Sequence, residues 1–377
     1  MAVMEFVQAG RSGAAGLITL ARPKALNALS LDMIRDLTGL LLAWRDDPAV
    51  QLVALRGSSR DPADATAVRP FGAFCAGGDI RFFHQAAGAG DPALEDFFTE
   101  EYRLNHLIHH YAKPVVALMD GIVMGGGMGI AQGARHRVVT ERTRMAMPET
   151  GIGLFPDVGG GYFLSRCAGH TGEYLALTGC VLDGAQAVAA GLADHLVSSD
   201  ALALLWERLA SGAIAGGAAL AGALQADARA CRTAPAVWPP GPIERFFGRD
   251  SVAAIVQALE ADADRDAWAC DTATLLRQRS PLMLQVTLEQ IRRARTMSLA
   301  QALRLERGLM RHCFHPVHLG RSGASTEVVE GIRALAIDKD HQPRWNPARI
   351  ADVQPLMVAP FFESPWPAHA HPLRDLA

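Results

Sequence analysis

Glu149 and Asp157 stand eight residues apart in residues 147–161 (MPETGIGLFPDVGGG), among side chains that are mostly apolar or absent. An acid without polar surroundings loses solvation, and its pKa rises because the charged form is disfavoured. Such a carboxylate suits general acid–base work or nucleophilic attack. On spacing alone, a loop acid and a helix cap account for the pair equally well.

Two glycine-rich turns offer a different chemistry. Residues 113–129 (KPVVALMDGIVMGGGMG) read as a buried strand, a tight turn and a helix that begins near Gly127. The first amides of a helix have no intrahelical partner and direct a partial positive charge outward. Gly125, Gly126 and Gly127 in succession let a ligand approach the backbone closely. A dinucleotide fingerprint fails because residue 130 is neither Gly nor Ala, and a phosphate loop fails because no Lys-Ser/Thr pair follows. A plain tight turn remains the alternative. Residues 74–80 (FCAGGDI) repeat the theme, with Asp79 placed to cap the helix after it. If the amides of Gly78 and Gly126 converge on one oxygen, they form an oxyanion hole for a thioester carbonyl.

Other residues carry less. His106, His109 and His110 share helical spacing, but no H-E-x-x-H pattern accompanies them, and no metal site is expected. Cys75 reads as a small buried residue rather than a nucleophile. Arg292, Arg293 and Arg295 read as a solvated helix face, with phosphate contact as the lesser alternative.

The elements that must position these groups alternate over the first two hundred residues. Residues 17–20, 51–56 and 115–119 have strand character. Residues 30–44 have helical periodicity, with Leu31, Ile34, Leu37, Leu41 and Leu42 on one side and Ser30 as N-cap. This is a βαβ rhythm. Beyond residue 200 the pattern turns helical, over 201–210, 251–261, 271–279, 281–295 and 299–310, and weakly over 213–224. Residues 233–242 are proline-rich and read as a linker; the tail after Asp338 carries seven prolines and little periodicity.

Bulk properties exclude several classes. The 377 residues, 50% hydrophobic and 20% charged, are those of an ordinary globular protein. A net charge of −3 gives no basic field for nucleic acid or anionic membrane, so an anionic ligand must rely on local positive groups. No apolar run is long enough for a membrane span. The six cysteines lack C-x-x-C pairs and disulfide-framework density, and the first residues do not form a signal-peptide pattern; the expected location is cytoplasmic.

Residues 22–29 (RPKALNAL), 74–80, the triple-glycine turn and the Pro148-Glu149 loop resemble, in order and spacing, the signatures of the crotonase (enoyl-CoA hydratase/isomerase) superfamily. Residues 147–163, with Asp338, Lys339, Asp340 and Trp345, resemble its 3-hydroxyisobutyryl-CoA hydrolase branch; the likeness covers about residues 5–350. The resemblance implies an α/β fold with a crotonase-type ββα spiral core over residues 1–200 and a C-terminal α-helical region over 201–377. It implies an oxyanion hole at the amides of Gly78 and Gly126, and Glu149 as catalytic carboxylate with Asp157 and Glu101 lining the same pocket. Ala76 and the segment around Lys24 would border the CoA nucleotide.

One departure bears on the reaction. Hydratases of this superfamily use two glutamates, one in the triple-glycine helix and one in the Pro-Glu loop, whereas this chain has Gly129 and Glu149. Hydrolysis of a thioester needs only one base or nucleophile. The resemblance therefore implies an acyl-CoA thioester hydrolase of valine catabolism that yields 3-hydroxyisobutyrate and CoA, with Glu149 activating water or attacking directly to form an anhydride. An enoyl-CoA hydratase or isomerase, and a silent scaffold, are the alternatives. No metal or redox cofactor is implied, CoA being part of the substrate, and the oligomeric state stays open. Glu330, Gly331 and Arg333 also resemble the family, which usually has an aromatic residue where Glu327 stands.

Overall fold

Short runs of Val, Ile, Leu and Ala form the strands, and the computed structural model describes residues 4–60, 67–231 and 238–377. The chain divides into two compact units. The first takes the described parts of Met1–Gly78, Arg103–Ala146 and Val181–Trp238. It holds ten strands: β1 (Val7–Ser12), β2 (Ala15–Leu20), β3 (Leu52–Arg60), β4 (Val68–Pro70), β5 (Ala73–Cys75), β6 (Val115–Met119), β7 (Ile122–Met124), β8 (His136–Val139), β9 (Arg144–Ala146) and β10 (His195–Leu196).

Their pairing is that of a spiral. The larger sheet runs β1-β2-β3-β6-β8-β10, with β4 on β3, and the smaller runs β5-β7-β9. Each turn sends one strand to the larger sheet and a later one to the smaller: β3 then β5, β6 then β7, β8 then β9. Within each sheet these successive strands are parallel. Every residue of β6 is buried, as expected of a parallel strand covered on both faces. Alternate residues of the larger sheet (Leu52, Ala54, Val116, Leu118) pack with Leu202, Leu205 and Leu209 of the helix Ser199–Ala210 and Leu220 and Leu224 of Gly217–Ala230.

The helix Leu31–Arg45 starts on Ser30, whose Oγ accepts from the Met33 amide at 3.3 Å. Its buried stripe is Met33, Ile34, Leu37 and Leu41, while Leu42 is 42% exposed. The buried stripe is thus rotated by part of a turn from the expected one, with Met33 buried on one flank and Leu42 left in solvent on the other.

The second unit comprises Asp79–Tyr102, Met147–Cys180 and Pro239–Ala377. Its framework is the helix Ile80–Ala89, capped by Asp79 as expected, the start of Ala93–His109, and the pair Pro281–Ala294 and Leu299–Phe314. Ser280 caps the first of that pair and a Ser298/Gln301 capping box starts the second. Of the proline-rich stretch read as a linker, residues 233–237 lie outside the described residues. Its end is not linker: Pro240 and Pro242 sit in the opening of a helix, Pro240–Phe247, where a missing N–H costs nothing. Among the described residues no helix is long and apolar enough to cross a membrane.

Candidate active site

The two glycine turns lie side by side in the first unit. β5 and β7 run parallel, with Ala73 opposite Ile122 and Cys75 opposite Val123, so the chain leaves both strands together. A Cβ on Gly77, whose φ is +106°, would stand 3.2 Å from the Met124 carbonyl and 3.6 Å from the Gly126 nitrogen. One on Gly127 would strike the Cys75 carbonyl at 2.3 Å, so only glycine fits. Gly126 opens the helix Gly126–Gln132, and among the described residues neither its amide nor that of Gly78 donates to another group.

The segment 22–29 supports the first turn from behind. Asn27 is fully buried, and its side-chain amide donates to the carbonyls of Ser58, Ala73 and Phe74 at 2.7, 2.9 and 3.2 Å. Ala76 donates its amide to Leu26, and Leu29 donates to Gly77. Lys24 is exposed on the short turn Pro23–Ala25.

The carboxyl groups gather in the second unit. Glu149 opens the turn Glu149–Ile152, is 6% exposed, and leaves Oε2 without a partner. Burial raises its pKa well above the usual range, the charge of Asp157 adds to the rise, and its own backbone N–H opposes it. Glu101, also buried, has an unpartnered Oε1; burial and then the charges of Asp157 and Glu149 raise it. Burial lifts Asp157 to about 6, against a hydrogen bond from the Tyr102 hydroxyl at 2.7 Å. The apolar loop that suggested desolvation does produce it. A carboxylate with raised proton affinity is the stronger base near neutral pH.

Three further residues complete this cluster without having been legible as site residues. Tyr102 is fully buried against Phe98, ring centroids 6.3 Å apart. Glu306 and Gln290 reach the loop from the two long helices, with Gln290 donating to the Pro156 carbonyl at 2.7 Å. Burial pushes Glu306 up to about 8 even though the amides of Gly159 and Gly161 favour its charge. Tyr102 had a faint signal, as the neighbour of Glu101; Glu306 and Gln290 had none.

Elsewhere, His106 and His110 stack with ring centroids 4.1 Å apart, and among the described residues no group of three His, Cys, Asp or Glu is arranged to hold a metal. Cys75 is buried. Arg293 and Arg295 lie on an exposed face. Glu327, in the place of an aromatic residue, is nearly buried and accepts from the Ser280 hydroxyl and from the Asn346 amide at 2.8 Å, which makes it a local structural acid. Arg333 ties Glu330 to Asp338 and Asp340.

The raised acids carry a stability consequence. A carboxyl whose folded pKa exceeds its unfolded value favours folding at low pH, and that contribution disappears as pH rises through the folded value. Glu306, pushed up to about 8, spreads the loss from the usual carboxylate range up to about pH 8, and its last part falls above pH 7, where the histidines lowered by burial (His136, His312, His315, His371) are already neutral. Thermal melts should therefore give a lower Tm at pH 9 than at pH 7. An unchanged or higher Tm would contradict the burial of these acids.

Parallel ββα turns that present paired glycine amides, together with a buried carboxyl cluster, define an α/β enzyme of the crotonase type. Residues 15–362 match the enoyl-CoA hydratase/isomerase family. The chain belongs to that family. It is 39% identical to "3-hydroxyisobutyryl-CoA hydrolase 1" of Arabidopsis thaliana, over 92% of this chain and 88% of that one. It is 41% identical to "3-hydroxyisobutyryl-CoA hydrolase, mitochondrial" of Danio rerio, over 93% and 88%. Among solved structures it resembles a carnitinyl-CoA dehydratase from Mycobacterium thermoresistibile, with a TM-score of 0.84 and 37% identity over 98% of this chain and 99% of that one.

Proposed function

We propose that this chain hydrolyses 3-hydroxyisobutyryl-CoA to 3-hydroxyisobutyrate and CoA, a step of valine catabolism. The observation that carries the proposal is the likeness, at 39–41% identity over nearly the whole chain, to relatives named for that hydrolysis. The amides of Gly78 and Gly126 stabilise the carbonyl oxygen as the thioester carbon becomes tetrahedral. Glu149 either takes a proton from the attacking water or attacks the carbon itself to give an anhydride that water opens. In both routes the C–S bond breaks, and water supplies the hydroxyl of the acid and the hydrogen of the thiol. Asp157 strengthens Glu149 as a base through its neighbouring charge, and Glu101 lines the acyl pocket. Ala76 and exposed Lys24 border the CoA nucleotide. Gly129 supports hydrolysis over hydration, since no second glutamate stands there.

The six cysteines, spaced unlike a disulfide framework, fit a reducing compartment such as the cytoplasm; the Danio rerio relative is named mitochondrial. Thiol release across a panel of acyl-CoAs tests the substrate. 3-Hydroxyisobutyryl-CoA should exceed isobutyryl-CoA in kcat/KM by at least about tenfold, because a site built for a hydroxyl rejects the analogue without one. Preference for unbranched acyl groups would overturn it.

Asp157→Asn tests the coupling of the acids. With the neighbouring charge gone, the pKa of Glu149 falls, so the acidic limb of the kcat–pH profile should move to lower pH. A limb that does not move would remove Asp157 from the environment of Glu149.

A further inference from the structure

The short helix Gly160–Leu164 has a glycine, Gly159, at its N-cap and so no side chain of its own to cap it. Glu306, from the helix Leu299–Phe314, fills that role from 147 residues away. Its Oε2 accepts from the Gly159 amide at 2.7 Å, and its Oε1 accepts from the Gly161 amide at 2.9 Å and from Gln290 Nε2 at 3.2 Å. The same Gln290 nitrogen donates to the Pro156 carbonyl at 2.7 Å. One carboxyl group and one amide thus grip the chain on both sides of Asp157.

The gripped turn needs holding. Val158, a β-branched residue, has φ +54°, and Gly159 has φ +87°. At Gly161 a Cβ would stand 3.0 Å from Glu306 Oε1 and 3.1 Å from Gln290 Nε2, so the clamp closes directly on the backbone. Glu306 is 1% exposed and Gln290 fully buried, which cuts both off from bulk solvent. Asp157 in turn accepts from the Tyr102 hydroxyl at 2.7 Å.

We propose that Glu306 is a positioning residue for the hydrolysis: through the amides of Gly159 and Gly161 it fixes the turn that carries Asp157, and so places Asp157 among the reacting acids. The proposal rests on the assignment of Asp157 to the reaction. Glu306 touches no reacting atom; its effect passes through Asp157.

The test is a double-mutant cycle in the full chain, read by steady-state thiol release. Glu306→Gln keeps the volume but sets an NH2 group, which cannot accept, against a backbone N–H. It should lower kcat by roughly ten- to a hundredfold, as misplacement of a reacting group does, with KM within about threefold. In an Asp157→Asn background the same change should cost less than about threefold, because the residue it positions no longer acts. Gln290→Leu, which frees Pro156 but leaves both amides on Glu306, should give a smaller loss with the same non-additivity, and serves if Glu306→Gln does not fold. Full kcat in Glu306→Gln, or losses that multiply independently in the double variant, would overturn the proposal. Should the wild-type chain turn over a different acyl-CoA, the substrate assignment fails alone, and the cycle is read on that ester.

Discussion

Glu149→Gln should lower kcat for thioester hydrolysis by at least about 10³-fold while KM changes no more than a few-fold. The amide keeps the shape of the side chain but can neither accept a proton from water nor attack a carbonyl. The fold has no stake in the charge, because burial disfavours it and Oε2 has no partner to lose. The substitution should even stabilise the protein at pH above the usual carboxylate range, where a carboxyl with a raised pKa opposes folding. Kinetics and a thermal melt on the same preparation check both halves. A variant that keeps a tenth or more of wild-type turnover would remove Glu149 from the mechanism under either the general-base or the anhydride route.

Gly126→Pro should cost about 10²–10³-fold in kcat, the loss typical of one oxyanion donor, since proline has no N–H. The position suits the test. Gly126 is the first residue of the helix Gly126–Gln132, where a proline ring is accommodated without breaking an intrahelical bond. Crowding is the confounder, because the Gly77 turn packs so near that a Cβ added to Gly77 would stand 3.6 Å from this nitrogen. Gly126→Ala keeps the amide while adding bulk and is the control. Equal losses in both variants would leave the oxyanion role without support; a Pro-specific loss is the expected outcome.

Local chemistry was the legible part of this chain. The unbroken apolar run of β6, the Ser30 cap and the glycine turns each declare themselves within a few residues, because strand burial, capping and tight turns are short-range events. The burial of Glu149 and Asp157 was legible for the same reason: the loop that carries them is apolar, and its Leu154, Phe155 and Val158 are buried with them. The rotated face of Leu31–Arg45 shows the limit, since periodicity admits two adjacent stripes and the tertiary environment picks Met33 over Leu42. Glu306 and Gln290 were out of reach. Their partners lie 147 and 134 residues away, and nothing near either residue sets it apart from any buried polar group on a long helix. The pairing of the glycine turns needed β5 and β7 to be parallel neighbours, which is topology rather than local pattern.

The central claim is that one glutamate, with Gly129 where a hydratase carries its second, makes this chain a hydrolase. The direct test follows two signals from one enzyme preparation: free thiol from 3-hydroxyisobutyryl-CoA, and loss of enoyl absorbance from crotonyl-CoA. Thiol release faster than hydration by at least about 10²-fold is the predicted result, the order expected when a group needed for one reaction is missing. Loss of enoyl absorbance faster than thiol release would contradict it and place the chain among the hydratases.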